Sequence, residues 1–221
     1  MLRHFDEELK NVNELIIYMG VEVEEFIHKA VDSLKNKDVL MAKDIIDSDK
    51  KIDELELKID RKCIGLIVSR QPVAADLRYI NTAMKITTDL ERMADLAVDI
   101  AERTIELGDK PHVKPLIDIP KLAVLAKKMT KGSIDSFVNR DVVLAKKIYL
   151  MDDQADELRN AVQEELINNF ISKDGSIAPL AIPLILVARF LERICDHATN
   201  ICEDVIYMVK GNVVKHHFEK G

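Results

Sequence analysis

The segment DSLKNKDVLMAKDIIDSDKKIDEL, residues 32–55, recurs along the chain as DSFVNRDVVLAKKIYLMDDQADEL, residues 135–158. With a shift of two positions, LERMADLAVDIAE (90–102) then matches LERICDHATNICE (191–203). Unrelated amphipathic helices share apolar periodicity but not polar residues in register, so the chain contains one structural unit twice. The residues of the first segment that recur at a constant spacing are Asp32, Ser33, Asn36, Asp38, Val39, Ala42, Lys43, Ile45, Asp49, Asp53, Glu54 and Leu55.

Helical periodicity covers most of this duplicated chain, and only 7 Gly and 6 Pro interrupt its 221 residues. Asp38 and Asp141 are suitable helix N-caps, Pro72 suits a first helical position, and Gly211 suits a C-terminal stop. The predicted helices cover residues 2–36, 38–69, 72–108, 120–139, 141–172 and 176–210, with a linker at 108–120. We therefore predict an all-α fold of six long helices in two tandem, pseudo-symmetric three-helix bundles, residues 1–113 and 114–221.

Composition narrows the possible functions. The formal net charge of −7 argues against nucleic acid as a partner, because phosphate contacts need clustered Lys and Arg. Cys63, Cys195 and Cys202 lie in apolar helical segments without a CxxC pair, as expected for reduced core residues. No signal peptide is visible, and no apolar run reaches the roughly 20 residues needed to span a bilayer. We expect a cytoplasmic protein that is at most peripheral to the membrane.

Acidic residues stand four positions apart on two helices of each unit. Like charges at this spacing destabilise a helix, so pairs held close together need a counter-charge. Carboxylate oxygens favour hard cations such as Mg²⁺, Mn²⁺, Ca²⁺ or iron. The candidate metal ligands are Asp49 with Asp53, Glu91 with Asp95, Asp152 with Asp156, and Glu192 with Asp196, with Glu56 and Asp60 continuing the first pair. Asp99, Glu102 and Glu203 are weaker candidates that extend the stripes.

Two plainer explanations remain open for these stripes. Any single acidic pair is also typical of a solvated helix face, and arginines reaching across helices are an alternative source of positive charge. The arginines considered are Arg92, Arg193, Arg78 and Arg189. Asn200 replaces an acid at the third position of the second stripe, so the two sites are expected to differ in charge and occupancy.

Signatures of common enzymes are missing: the chain has no GxGxxG, GxxxxGK[ST], GxSxG or HExxH. His197 lies on a different arc from Glu192 and Asp196, so we expect it to be packed or exposed rather than a metal ligand. Without imidazole ligands, oxygen-activating chemistry is not expected. The sequence also suggests no general base, and no basic cluster near the stripes to hold a substrate phosphate.

Several motifs in order resemble the PhoU family of regulators tied to phosphate-specific transport. They are the E(D)xxxD pairs above, QPVAADLR (71–78), DLERMAD (89–95) and ERICDHATNICEDVIYMVKG (192–211). The resemblance covers nearly the whole chain. It implies two three-helix bundles that bind metal ions on the E(D)xxxD surface, in some members as multinuclear clusters. Mg, Mn, Fe or Zn are the candidate ions.

The resemblance also implies a function: negative regulation of phosphate uptake and of the phosphate-starvation response. The implied partners are the ATPase subunit of the phosphate ABC transporter and a membrane sensor histidine kinase, with homodimer formation. Contact with the inner membrane would then be indirect, through those partners. Asp76, Arg78 and Arg189 match polar positions near the motifs and are candidates for partner contact or for bridging the bundles.

Two competing hypotheses belong to other classes. A metal-dependent phosphohydrolase on an all-helical scaffold would use carboxylate-bound metals to position water and phosphate. A purely structural adapter would use its acidity for solubility only, and would contain no bound metal.

Overall fold

The computed structural model describes residues 2–211, and side chains from residue 5 onward. Within this range the fold is all-α, as predicted, and no strand is present. The helices are α1 (Leu2–Asn36), α2 (Val39–Ser48), α3 (Lys50–Arg70), α4 (Ala75–Leu107), α5 (Asp118–Val138), α6 (Val142–Tyr149), α7 (Asp152–Leu166) and α8 (Ala178–Lys210). A π-helical stretch, Ile167–Ile171, continues α7, and a 3₁₀ turn, Gly175–Ile177, precedes α8.

Helix ends follow the predicted capping residues. Asp38 accepts a hydrogen bond from the backbone N–H of Met41, and Asp141 accepts from the N–H groups two and three residues on. Gly211 ends α8 with φ 74°, in the left-handed region that glycine tolerates. The predicted start of α4 at Pro72 is wrong, because α4 begins at Ala75. The residue before a proline avoids the α region, and Gln71 takes a left-handed φ of 48° instead.

The middle helix of each unit is divided, which the sequence analysis did not predict. Asp49 separates α2 from α3, and Leu150 with Met151 separates α6 from α7. At the first division the N–H of Ile52 donates to the carbonyl of Asp49 at 2.8 Å, an i to i−3 bond that tightens the turn. Each break places an aspartate of the acid stripes, Asp49 or Asp152, at the start of a new helix.

The first bundle contains α1, α2–α3 and α4, and the second contains α5, α6–α7 and α8. The bundles pack against each other through α1, α4, α5 and α8. Contacts from Lys85 to Asp204 and from Arg78 to the carbonyl of Met208 show that α4 and α8 run antiparallel.

Apolar side chains fill the space between the four central helices. Phe137 is fully buried, and its ring stacks on Tyr79 of α4 with centroids 4.9 Å apart. Cys63, Cys195 and Cys202 are buried free thiols, as predicted. The helices within residues 2–211 include none with an apolar stretch sufficient to span a bilayer.

Candidate functional site

The first carboxylate cluster lies where the α2–α3 division packs against α4. We use this name for five side chains: Asp49, Asp53, Glu56, Glu91 and Asp95. The charges of Asp53 and Asp95 both act on Asp49, and those of Asp95, Glu56 and Asp53 act on Glu91. Because α3 and α4 form an antiparallel hairpin, the two predicted acidic pairs of this unit are brought together across the helices.

Burial and mutual repulsion raise the pKa values in this cluster. Burial, followed by the charge of Asp95, raises the pKa of Glu91 to about 6. Burial and the charges of Asp53 and Asp95 raise the pKa of Asp49. Arg92 supplies positive charge from within α4: Nη1 donates to Asp95 Oδ2 at 2.9 Å, and Nε lies 3.3 Å from Glu91 Oε2. One arginine beside five carboxylates leaves this cluster strongly negative.

The second carboxylate cluster lies between the start of α7 and the middle of α8. It contains Asp152, Asp156, Glu192 and Asp196. Burial, then the charges of Asp156 and Glu192, raise the pKa of Asp152 to about 6. Burial and neighbouring carboxylates also raise the pKa values of Glu192 and Asp196. Cys195 is packed beneath the cluster, and its burial among these charges raises the pKa of its thiol, which stays protonated.

Arg159 joins the two helices of the second cluster. Its Nη2 donates to Asp156 Oδ1 at 2.8 Å on its own helix and to Glu192 Oε1 at 3.3 Å on α8. The predicted interhelical arginines did not include Arg159, and Arg92 instead pairs within its own helix. Extending the repeat by one residue beyond Leu158 would have revealed Arg159 opposite Glu56.

A pocket of about 350 Å³ opens beside the second cluster. It is lined by Arg159, Gln163, Arg189, Glu192, Arg193 and Asp196. The expectation that no basic cluster lies near the stripes is therefore wrong. The three arginines of this pocket are Arg159 of α7 and Arg189 and Arg193 of α8, about thirty residues apart in the sequence. Only the packing of the two helices brings them together.

The donor chemistry of both clusters fits a metal ion. Glu91 Oε2 and Asp152 Oδ1 are buried and have no hydrogen-bond partner. Burying a carboxylate oxygen without a hydrogen bond carries a desolvation penalty, which Arg92 offsets only in part at Glu91 and which a hard divalent cation relieves. In the part of the chain described, however, no three His, Cys, Asp or Glu side chains converge in a metal-binding arrangement. Neither cluster is therefore a preformed coordination site.

The weaker candidate ligands have different surroundings. Asp99 is half-buried, and burial together with the charge of Glu102 raises its pKa. Glu102 is exposed and pairs with Arg103 at 3.2 Å. Glu203 lies beside Cys202, and its charge adds to burial in raising the pKa of that thiol.

The remaining predicted residues lie near the helix ends or between the bundles. Asp76 lies in the first turn of α4, and Arg78 Nε donates to the carbonyl of Met208 at 3.2 Å, which ties α4 to the end of α8. His197 Nδ1 lies 2.8 Å from Asp89 Oδ1. His197 is thus half-buried and contacts α4 through Asp89, and the expectation that it is not a metal ligand stays a prediction.

These features define a duplicated three-helix-bundle protein in which each repeat carries one carboxylate cluster. A family model described as "PhoU domain" matches the chain twice, at residues 16–104 and 119–205. The protein belongs to the PhoU family, as its motifs predicted.

Relatives match over almost the full length of the chain. A phosphate-specific transport system accessory protein PhoU homolog of Aquifex aeolicus is 42% identical, covering 97% of this chain and 98% of the relative. The Escherichia coli K12 protein named phosphate-specific transport system accessory protein PhoU is 31% identical, covering 96% and 88%. The crystal structure of PhoU from Pseudomonas aeruginosa superposes with a TM-score of 0.89 at 32% identity, covering 94% of this chain and all of that one.

Proposed function

We propose that this protein is a non-catalytic regulator of phosphate transport that restrains phosphate uptake and lowers expression of phosphate-responsive genes. The observation that carries the proposal is end-to-end similarity to relatives named as accessory proteins of the phosphate-specific transport system. The proposed partners are the ATPase subunit of the phosphate ABC transporter and a membrane sensor histidine kinase. The protein would act in the cytoplasm as a homodimer and reach the inner membrane through these partners.

Metal binding at the two carboxylate clusters is the second part of the proposal. Its support is the pair of buried oxygens without a hydrogen bond, on Glu91 and Asp152, together with the repulsion that raises the pKa of both groups. A bound cation would supply the missing positive charge. It would also draw the exposed carboxylate of Asp53 inward, holding the middle helix of the first repeat against α4. The acidic face would thereby lose charge, which changes its complementarity to a partner surface.

The metal proposal is tested by removing two charges from the first cluster. We expect Glu91→Gln with Asp95→Asn to abolish metal uptake by the first repeat, measured by elemental analysis of protein purified without chelator. A matched control is Asp44→Asn with Asp47→Asn, which removes two exposed charges from α2 and should retain all metal. Full metal occupancy in the Glu91, Asp95 variant would contradict the ligand assignment.

The regulatory proposal is tested in cells from which the gene is deleted. Deletion should raise uptake of labelled phosphate and expression of a phosphate-responsive reporter, and the wild-type gene should restore both. The tagged protein should co-purify with the transporter ATPase and with the kinase, and light scattering should give the mass of a dimer. Unchanged uptake and reporter expression after deletion would reject the function.

The phosphohydrolase hypothesis gains one observation, the three arginines beside the second cluster. Arginine forks are well suited to hold a phosphate, but the carboxylates beside them, Glu192 and Asp196, are proposed as metal ligands and not as a general base. We expect no release of phosphate from an aryl phosphate ester in the presence of Mn²⁺. Turnover that is lost in Asp152→Asn with Glu192→Gln would establish an enzyme instead of a regulator.

A further inference from the structure

The two carboxylate clusters are related by the internal repeat but carry different charges. The spacing that aligns Asp49 with Asp152 also aligns Glu56 with Arg159. The spacing that aligns Glu91 with Glu192 places Thr88 opposite Arg189. The first cluster therefore has an acid and a hydroxyl at the two positions where the second has arginines.

The contacts at these positions differ in the same way. In the first repeat Glu56 Oε1 accepts a hydrogen bond from Thr88 Oγ1 at 3.2 Å, and its negative charge adds to that of Glu91. In the second repeat Arg159 lies between Asp156 and Glu192, at 2.8 Å and 3.3 Å from their oxygens. Arg159 thus occupies the space between the α7 pair and the α8 pair, where a shared cation would bind.

We propose that Arg159 is a built-in counter-ion of the second cluster, so that divalent metal binds more tightly at the first cluster than at the second. This inference rests on the proposed metal binding and adds to it a difference between the repeats. A divalent ion entering the second cluster would have to displace the Arg159 guanidinium from two carboxylates and approach its positive charge at close range. Arg189 and Arg193 line the same pocket and add further positive charge on that side.

The first cluster presents the opposite situation. Glu56 contributes a fifth carboxylate. Arg92, whose side chain is 57% exposed, pairs with Glu91 and Asp95 of its own helix instead of joining the two helices. A cation bound there would neutralise several repelling groups, and it would displace Arg92 from Glu91 and Asp95 without breaking an arginine contact between the two helices. The repeats would therefore respond to different conditions: the second would carry one counter-charge between its helices at all times, and the first would gain one only when metal is available.

Exchanging the charges of Glu56 and Arg159, which occupy equivalent positions in the two repeats, tests the inference. Metal-stripped protein is titrated with Mn²⁺ alone, and bound ions are counted by equilibrium dialysis and by electron paramagnetic resonance. In the wild type, Glu91→Gln with Asp95→Asn should remove the tight binding, and Glu192→Gln with Asp196→Asn should leave it unchanged. Arg159→Glu, which installs the residue type of the first repeat, should tighten binding at the second cluster at least tenfold. Glu56→Arg should weaken binding at the first cluster at least tenfold.

Arg159→Gln removes the charge with less disturbance, and it should also raise Mn²⁺ binding at the second cluster if Arg159→Glu fails to fold. Equal loss of Mn²⁺ from the two double variants would overturn the selectivity while leaving metal binding intact. Unchanged Mn²⁺ binding in both Arg159 variants would overturn the role of Arg159. Absence of Mn²⁺ binding to the wild type and to Arg159→Glu would reject the metal proposal itself, and the inference with it.

Discussion

Replacing Glu91 by Gln is expected to stabilise the metal-free protein at pH 8 and to leave its stability unchanged at pH 4. The substitution keeps the shape of the side chain and removes a charge that its surroundings disfavour. Glu91 is 16% exposed, its Oε2 has no hydrogen-bond partner, and the charge of Asp95 repels it. Losing the carboxylate therefore removes more repulsion than attraction, even though Arg92 lies nearby.

The direction of the pKa shift gives the pH dependence. The pKa of Glu91 is raised from its ordinary value of 4.5 to about 6, so the folded chain binds the proton more tightly than the unfolded chain does. Below about pH 4.5 the group is protonated in both states and destabilises neither. As the pH rises through 6, the folded state alone bears an unfavourable charge, and stability falls. The full shift corresponds to about 2 kcal/mol, which screening by solvent reduces to about 1 kcal/mol.

Urea unfolding in the presence of chelator, followed by circular dichroism at pH 4 and pH 8, measures this difference. Glu157→Gln is a matched control, because Glu157 is an exposed residue of α7, and it should change the free energy of unfolding little at either pH. Adding Mn²⁺ should reverse the order of stability, because only the wild type keeps the full ligand set. A Glu91→Gln protein that is less stable than wild type at pH 8 without metal would refute the reasoning.

Other predictions concern the scaffold. Phe137→Ala should lower the free energy of unfolding by about 3–5 kcal/mol, because it empties a fully buried site stacked on Tyr79; a loss below 1 kcal/mol in urea unfolding would contradict this. Gly132→Ala should cost about 1–3 kcal/mol, since the new Cβ would lie 2.7 Å from Ile148 Cγ1, and a raised melting temperature would disprove the clash. Asp141→Ala should cost about 1 kcal/mol through loss of an N-cap, with Asp141→Asn nearly neutral in the same assay.

The elements that could be predicted from sequence depend on local chemistry. An aspartate before a helical run satisfies free N–H groups, so Asp38 and Asp141 locate two helix starts without knowledge of the fold. The acidic pairs could be placed because residues four apart share one face of a helix. The register of the repeat then predicted that both units would bring their pairs to similar positions.

Tertiary effects explain what the sequence reading missed. The divisions at Asp49 and at Leu150 with Met151 contain no proline or glycine, so no local breaker marks them. The arginine pocket depends on the packing of α7 against α8, which joins residues that no sequence window contains together. Arg159 differs in this respect, because it stands one residue after the last matching pair of the repeats, Leu55 and Leu158, and is therefore visible in the sequence.

Asp49 and Asp152 each experience two opposing effects: the start of a helix favours their negative charge, and burial beside other carboxylates disfavours it. Asp152 is the first residue of α7, and Asp49 directly precedes α3. The free N–H groups of a helix start favour a negative charge there by about 0.3–1 kcal/mol. The pKa of each group is nevertheless raised, so burial and the neighbouring carboxylates outweigh the helix. The divided helices thus hold these carboxylates where the metal-free fold disfavours their charge. A cation that binds only when they are assembled would shift the equilibrium toward the assembled state, as a ligand-controlled switch requires.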